Sequence, residues 1–137
     1  MRIKKFRDDV KLPTKSHATD VGYDMYLPDD FYVCPFSTKC VGLGIGFEVP
    51  VGYAGIFVPR SSIAKKGFII QTSIVDPGYT GETHLILTNP NKFGYDFKKG
   101  DRLCSIVFFK VDTPEFEVVD EFEKSERGEN GLGSTGN

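Results

Sequence analysis

Four short stretches of this chain gather residue types that handle phosphate oxygens. Pro59-Arg60-Ser61-Ser62-Ile63-Ala64 sets a guanidinium and two hydroxyls at the start of a helical turn. The free N–H groups of a first turn and the forked donors of Arg both suit an anion. The same stretch is also the ordinary beginning of a Ser-capped helix. Ile74-Val75-Asp76-Pro77-Gly78-Tyr79-Thr80-Gly81-Glu82 carries a Pro-Gly turn. That turn brings Asp76 and Tyr79 together at a hairpin mouth. A carboxylate so held can act as a general base on water, and the ring can pack on a ligand. An ordinary turn with Asp in its first position has the same letters. Arg127-Gly128 and Gly131-Leu132-Gly133-Ser134-Thr135-Gly136 combine donors with glycines that let backbone approach an anion. It lacks the lysine and preceding strand of a phosphate loop, and a plain Gly/Ser terminus is the alternative. In Asp20-Val21-Gly22-Tyr23-Asp24-Met25, Gly22 permits a tight bend. Asp24 there could face a metal–phosphate group or simply precede a strand.

The elements that must position these residues are strands. Runs of β-branched and aromatic residues bounded by Gly, Pro, Asp and Asn predict strands over 44–49, 53–58, 68–71, 83–88, 95–97, 103–109 and 116–120. One helical stretch, 61–67, has a Ser start and a Gly stop. Fifteen Gly, eight Pro and twelve Phe in 137 residues fit a turn-rich β chain better than a helical one. The expected fold is all-β, a jelly-roll-like barrel or sandwich with one short helix. One domain over 1–123 and a glycine-rich arm over 124–137 are expected, the arm carrying too little apolar surface to order itself.

Charge and cysteine content exclude whole classes. Seventeen basic and nineteen acidic residues give a net charge of −2. Bulk binding to nucleic-acid backbone needs a basic face, so no nucleic-acid partner is expected. Cys34, Cys40 and Cys104 are odd in number and form no C-x-x-C pair, so plain thiols are expected. His17 and His84 offer no metal-ligand spacing. No stretch approaches the roughly 20 apolar residues of a membrane span, and residues 1–8 carry no apolar leader core. A cytoplasmic protein is expected, in the host cell if the source is viral.

In this order, on a β chain of this length, the stretches resemble the homotrimeric deoxyuridine triphosphate nucleotidohydrolases, the dUTPases. The resemblance runs over residues 18–137 in five motifs. They are Ala18 to Leu27 with Gly22-Tyr23-Asp24-Met25, then Pro59-Arg60-Ser61-Ser62, then Val75 to Glu82, then Gly100-Asp101-Arg102-Leu103, then Arg127 to Gly136. It implies a homotrimer with three sites shared between subunits, hydrolysis of dUTP to dUMP and pyrophosphate, and a Mg²⁺ cofactor. Asp76 would be the general base on the water that attacks the α-phosphorus. Asp24 would act on the metal's outer shell through water. Arg60, Ser61 and Ser62 would grip phosphates, and Tyr79 would lie where a ribose 2′-hydroxyl would clash. Gln71 would bind substrate in the base-reading segment. Arg127, Leu132, Gly133, Ser134 and Thr135 would close over the nucleotide from a neighbouring subunit.

Some positions depart from the family pattern. Ser105 stands where Gln is usual, Leu132 where an aromatic is usual, and Gln71-Thr72-Ser73 fills a short base-reading segment. Two other functions share the features. A dCTP deaminase, or a bifunctional deaminase, has the same fold and a similar Arg-Ser-Ser-x-Ala run. It would carry Glu ten residues past Asp76 and Arg after the Ser-Ser-x-Ala run, where this chain has Ile86 and Lys65. A non-catalytic β-trimer that only binds nucleotide is the third.

Overall fold

The computed structural model of the chain describes residues 1–126 and 128, and among these it contains eleven strands and one short helix. In chain order they are β1 (Arg2–Lys5), β2 (Gly22–Asp24), β3 (Phe31–Val33), β4 (Ser37–Gly42), β5 (Ile45–Glu48) and β6 (Tyr53–Pro59). Then come α1 (Ser61–Ala64), β7 (Ile69–Ile70), β8 (Ile74–Val75), β9 (His84–Asn89), β10 (Tyr95–Phe97) and β11 (Cys104–Lys110). A four-stranded sheet runs β2-β11-β6-β8 and a three-stranded sheet runs β4-β9-β7. Two further antiparallel pairs, β1-β5 and β10-β3, complete the strands.

Period-two burial explains which residues face the core. Along β9, Leu85, Leu87 and Asn89 are buried while His84, Ile86 and Thr88 face outward or stand half-buried. The core gathers Val33, Leu43, Ile45, Leu85, Leu87, Leu103 and Ile106 from both sheets, the two strand pairs and the loops between them. A fully buried Asn89 is tolerated because every arm of its amide is used. Its Nδ2 donates to the carbonyls of Cys34 (3.1 Å) and Phe93 (2.9 Å), and its Oδ1 accepts from the Asn91 N–H (3.0 Å).

The expected strands at β5, β6, β7, β9, β10 and β11 are present. Strands β1, β2, β3, β4 and β8 are additional. They are short or polar, and β1 is exposed at all four residues, so no alternation marks them in the sequence. Residues 116–120 alternate like a strand but pair with none of the described residues, and Phe116 and Val118 are 95% and 96% exposed. A strand needs a partner edge as well as a pattern. The helix is shorter than 61–67, its end marked by Gly67 at φ 79°. No helix among the described residues is long and apolar enough to cross a membrane.

A charged network fastens the N-terminal segment to the loops at one end of the molecule. The Arg7 guanidinium bridges Asp9 (2.9 Å) and Asp29, Lys99 reaches Asp9 (2.7 Å), and Lys98 reaches Asp30 (3.0 Å). Hydrogen bonds from Lys99 and Arg7 hold the Asp9 carboxyl at about 2, below its ordinary 3.8. The folded form therefore takes up its proton later on acidification than the unfolded chain does. Its contribution to stability is complete above about pH 4 and fades as pH falls through about 2. NMR titration should give an Asp9 midpoint near 2, rising toward 3.8 in Lys99→Met. An unshifted midpoint in the parent protein would break this account of the network.

Candidate active site

Strand register builds the charged centre. β2 pairs with β11 so that Asp24 sits opposite Ser105. β11 also pairs with β6 so that Cys104 sits opposite Pro59, and the Arg60 N–H donates to the Leu103 carbonyl (3.0 Å). Three strands thus deliver Asp24, Ser105, Arg60 and Arg102 to one end of one sheet. Asp24 is 7% exposed, a burial that an ionised carboxylate bears only with partners. Its Oδ2 accepts from Arg102 Nη1 (2.9 Å) and its Oδ1 from Ser105 Oγ (2.9 Å). Arg60 Nε lies 3.3 Å from Oδ1. Beside it lies a cleft of about 300 Å³ lined by Gly22, Asp24, Arg60, Ser105, Ser16, Asp20 and Val21, where the guanidiniums of Arg60 and Arg102 are matched by the carboxylates of Asp24 and Asp20. Gly22 keeps the floor of that cleft open, because a Cβ there would meet Ser105 Cβ at 3.1 Å.

α1 begins where the sequence predicts, but its N-cap is Arg60 in an extended conformation, and no side chain caps it. The expected Ser cap is absent because Ser61 and Ser62 are already inside the turn. Both are exposed beside the cleft-lining Arg60. Cys104 lies next to the carboxylate on β11 and is buried. Burial, and then the charge of Asp24, push its thiol up to about 12, so it stays protonated and chemically inert here.

The second cluster lies elsewhere. The Tyr79 N–H donates to the Asp76 carbonyl (3.2 Å), and Gly78 has φ 85°. This is the expected Pro-Gly turn, of type II geometry. Asp76 is exposed and Tyr79 is 45% exposed. The Tyr79 hydroxyl donates to the Glu82 carbonyl (2.6 Å). β8 pairs with the far end of β6, with Val75 opposite Gly55 and Ile74 opposite Ile56, so Asp76 comes level with Ala54. Arg60 lies six residues farther along the strand, which at about 3.3 Å per residue is roughly 20 Å. Within one chain the structure therefore joins Asp24 to Arg60 and keeps Asp76 and Tyr79 apart from them.

Gln71 holds a third position. It follows β7, and its Nε2 donates to Thr88 Oγ1 (3.2 Å) on β9. β7 and β8 belong to different sheets, so residues 71–73 cross between sheets and form no hairpin. Arg127, Leu132, Gly133, Ser134 and Thr135 lie outside the described residues. Sequence reasoning gave no role to Arg102 or Glu82. Arg102 stands two residues before β11, and its approach to Asp24 depends on a register that no sequence signal marks.

Comparison with known proteins gives one answer. The dUTPase family model matches residues 8–136. The deoxyuridine 5′-triphosphate nucleotidohydrolase of Saccharomyces cerevisiae is 41% identical, covering 100% of this chain and 95% of the yeast protein. The mitochondrial enzyme of that name from Homo sapiens is 33% identical over 99% of this chain and 54% of its own length. The dUTPase of Staphylococcus bacteriophage 80alpha, solved with dUpNHpp, superposes with a TM-score of 0.95 at 27% identity, covering 99% of this chain and 98% of the phage one.

Removing Asp24 leaves two guanidiniums facing each other with no counter-charge. Asp24→Ala should lower stability by about 3 kcal/mol, and Ser105→Ala, which deletes one bond to a carboxylate, by about 1.5 kcal/mol. Thermal melts check both. Equal melting of Ser105→Ala and parent would mean that the hydroxyl carries no share of the carboxylate's support.

Proposed function

The chain belongs to the dUTPase family, and from that premise we propose that it hydrolyses dUTP to dUMP and pyrophosphate at sites composed of more than one protomer. The observation that carries the shared site is the roughly 20 Å along β6 between the level of Asp76 and Arg60. Side chains that far apart cannot touch one phosphate, so each chain supplies complementary halves to different sites. A homotrimer, the assembly that the family implies, closes such head-to-tail contacts into a ring.

In one half, Asp76 acts as the general base. Its exposure lets a water reach the carboxylate, which takes the proton as oxygen attacks the α-phosphorus. Tyr79 lies against the deoxyribose, leaving no room for a 2′-hydroxyl. In the other half, Arg60 binds phosphate oxygens through its guanidinium with Ser61 and Ser62 beside it. Asp24 and Arg102 set the local charge. A tetra-anionic substrate is thus accepted by a protein of net charge −2 through local cations rather than through its global field.

The donor set fits a magnesium ion carried by the substrate rather than caged by protein. Among the described residues no group of three His, Cys, Asp or Glu side chains could hold a metal. Asp24 has three of its acceptor positions taken by Arg102, Ser105 and Arg60, leaving room for one bond from a metal-bound water. When bound to the triphosphate, Mg²⁺ would neutralise charge on the reacting oxygens. Gln71 is assigned to the base-reading segment. Residues 124–137 are assigned to an arm that closes on a neighbour's site, with Arg127, Ser134 and Thr135 as phosphate donors and Leu132 and Gly133 against the nucleoside. The resemblance and the donor-rich composition of that stretch support this. Free thiols at Cys34, Cys40 and Cys104 agree with a reducing, cytoplasmic compartment.

Asp76→Asn should cut kcat by roughly 10²–10⁴ while melting stays unchanged. Asp76→Asn and Arg60→Ala, each inactive alone, should regain activity when unfolded and refolded together, with about a quarter of sites intact in a random cyclic trimer. Pyrophosphate release from a dUTP, dCTP and UTP panel is the readout. Failure of the mixed protein to recover any activity, with trimers formed, would place both residues in one chain's site and overturn the shared-site reading.

A further inference from the structure

Glu82 is engaged in two directions at once. Its Oε1 accepts the Gly44 N–H (2.6 Å), and its carbonyl accepts the Tyr79 hydroxyl (2.6 Å). Gly44 sits at φ 67° in the turn between β4 and β5, where a part-buried N–H needs an acceptor. The next residue continues the attachment. The Thr83 N–H donates to the Ile45 carbonyl (2.8 Å), Thr83 Oγ1 donates to the same carbonyl (2.7 Å), and the Leu43 N–H donates to the Thr83 carbonyl (2.9 Å). Tyr79 lies folded over Gly81, where a Cβ would come within 2.5 Å of the tyrosine oxygen. The ring is held by one hydrogen bond to a carbonyl, and that carbonyl belongs to a residue moored by its own side chain.

We propose that Glu82 is a positioning residue for sugar discrimination. It fixes the acceptor that orients Tyr79, and so couples the β4–β5 turn to the wall that excludes a 2′-hydroxyl. The inference rests on the role given to Tyr79 above. Without the carboxylate, residue 82 keeps its place in the chain but loses its outer mooring, and the Tyr79 hydroxyl loses a fixed partner. The wall then yields to a ribose. Gly42 reports on the same device from a distance. A Cβ at Gly42 would come within 2.5 Å of Glu82 Oε1, so Gly42→Ala must displace the carboxylate without touching Tyr79 or Asp76.

The test measures kcat and KM for dUTP and UTP in the full-length protein, beside thermal melts. In Glu82→Ala the preference for dUTP over UTP, as a ratio of kcat/KM, should fall about tenfold, the size of effect expected for one mis-set contact. Most of the fall should come from better use of UTP. Glu82→Gln, whose amide oxygen can still accept the Gly44 N–H, should restore the ratio, and Gly42→Ala should mimic Glu82→Ala. An unchanged ratio in both Glu82→Ala and Gly42→Ala would overturn the inference. So would a Glu82→Gln variant as permissive as Glu82→Ala. A parent protein that fails to prefer dUTP would instead overturn the role of Tyr79 and the proposed function with it.

Discussion

A carboxylate buried between two guanidiniums is the constraint around which the rest of this protein is arranged. Asp24 is tolerable in the interior only because Arg102, Ser105 and Arg60 converge on it. That convergence requires β2 and β6 to flank β11 in one register, since a slip of one residue would turn Ser105 to the other face. Sheet order and anion chemistry are therefore one requirement. The core residues Leu103, Cys104 and Ile106 hold the strand in place, while Ser105 between them and Arg102 before them reach the carboxylate.

The same sheet underlies the proposal that each site is composed of more than one chain. β6 is a bar with the Arg60 and Asp24 cluster at one end and the Asp76 turn level with the other. A rigid strand cannot bend to bring its ends together, so under the shared-site proposal assembly takes the place of flexibility. The division also separates electrostatic tasks. The guanidiniums of Arg60 and Arg102 at one end are compensated inside the chain by Asp24. The exposed Asp76 keeps its hydration, as the general-base role proposed for it requires.

Much of this was legible in the residues, and the limits have physical causes. Long apolar or alternating strands such as β6, β9 and β11 declare themselves by burial. β1 and β4 do not, because they are held by pairing while their side chains stay in water. Residues 116–120 show the converse, a strand-like alternation with no edge to join among the described residues. The turn at Asp76 was readable because Pro-Gly has few conformational choices. The pairing of Arg102 with Asp24 was not, since it depends on register across 78 residues of chain. Glu82 was quoted as a motif letter, yet its bond to Gly44 exists only through the fold. Motif letters indicate which groups meet substrate. They are silent about which groups hold those in place.

The three thiols differ in what can reach them. Cys34 and Cys40 are exposed on the β3–β4 side, while Cys104 sits sealed behind the carboxylate with its thiol pushed up to about 12. An electrophile or oxidant therefore meets the two surface sulfurs long before the one beside the anion cleft. The outer pair become ready-made handles. A spectroscopic label or a surface tether attached there would leave the charged centre chemically untouched.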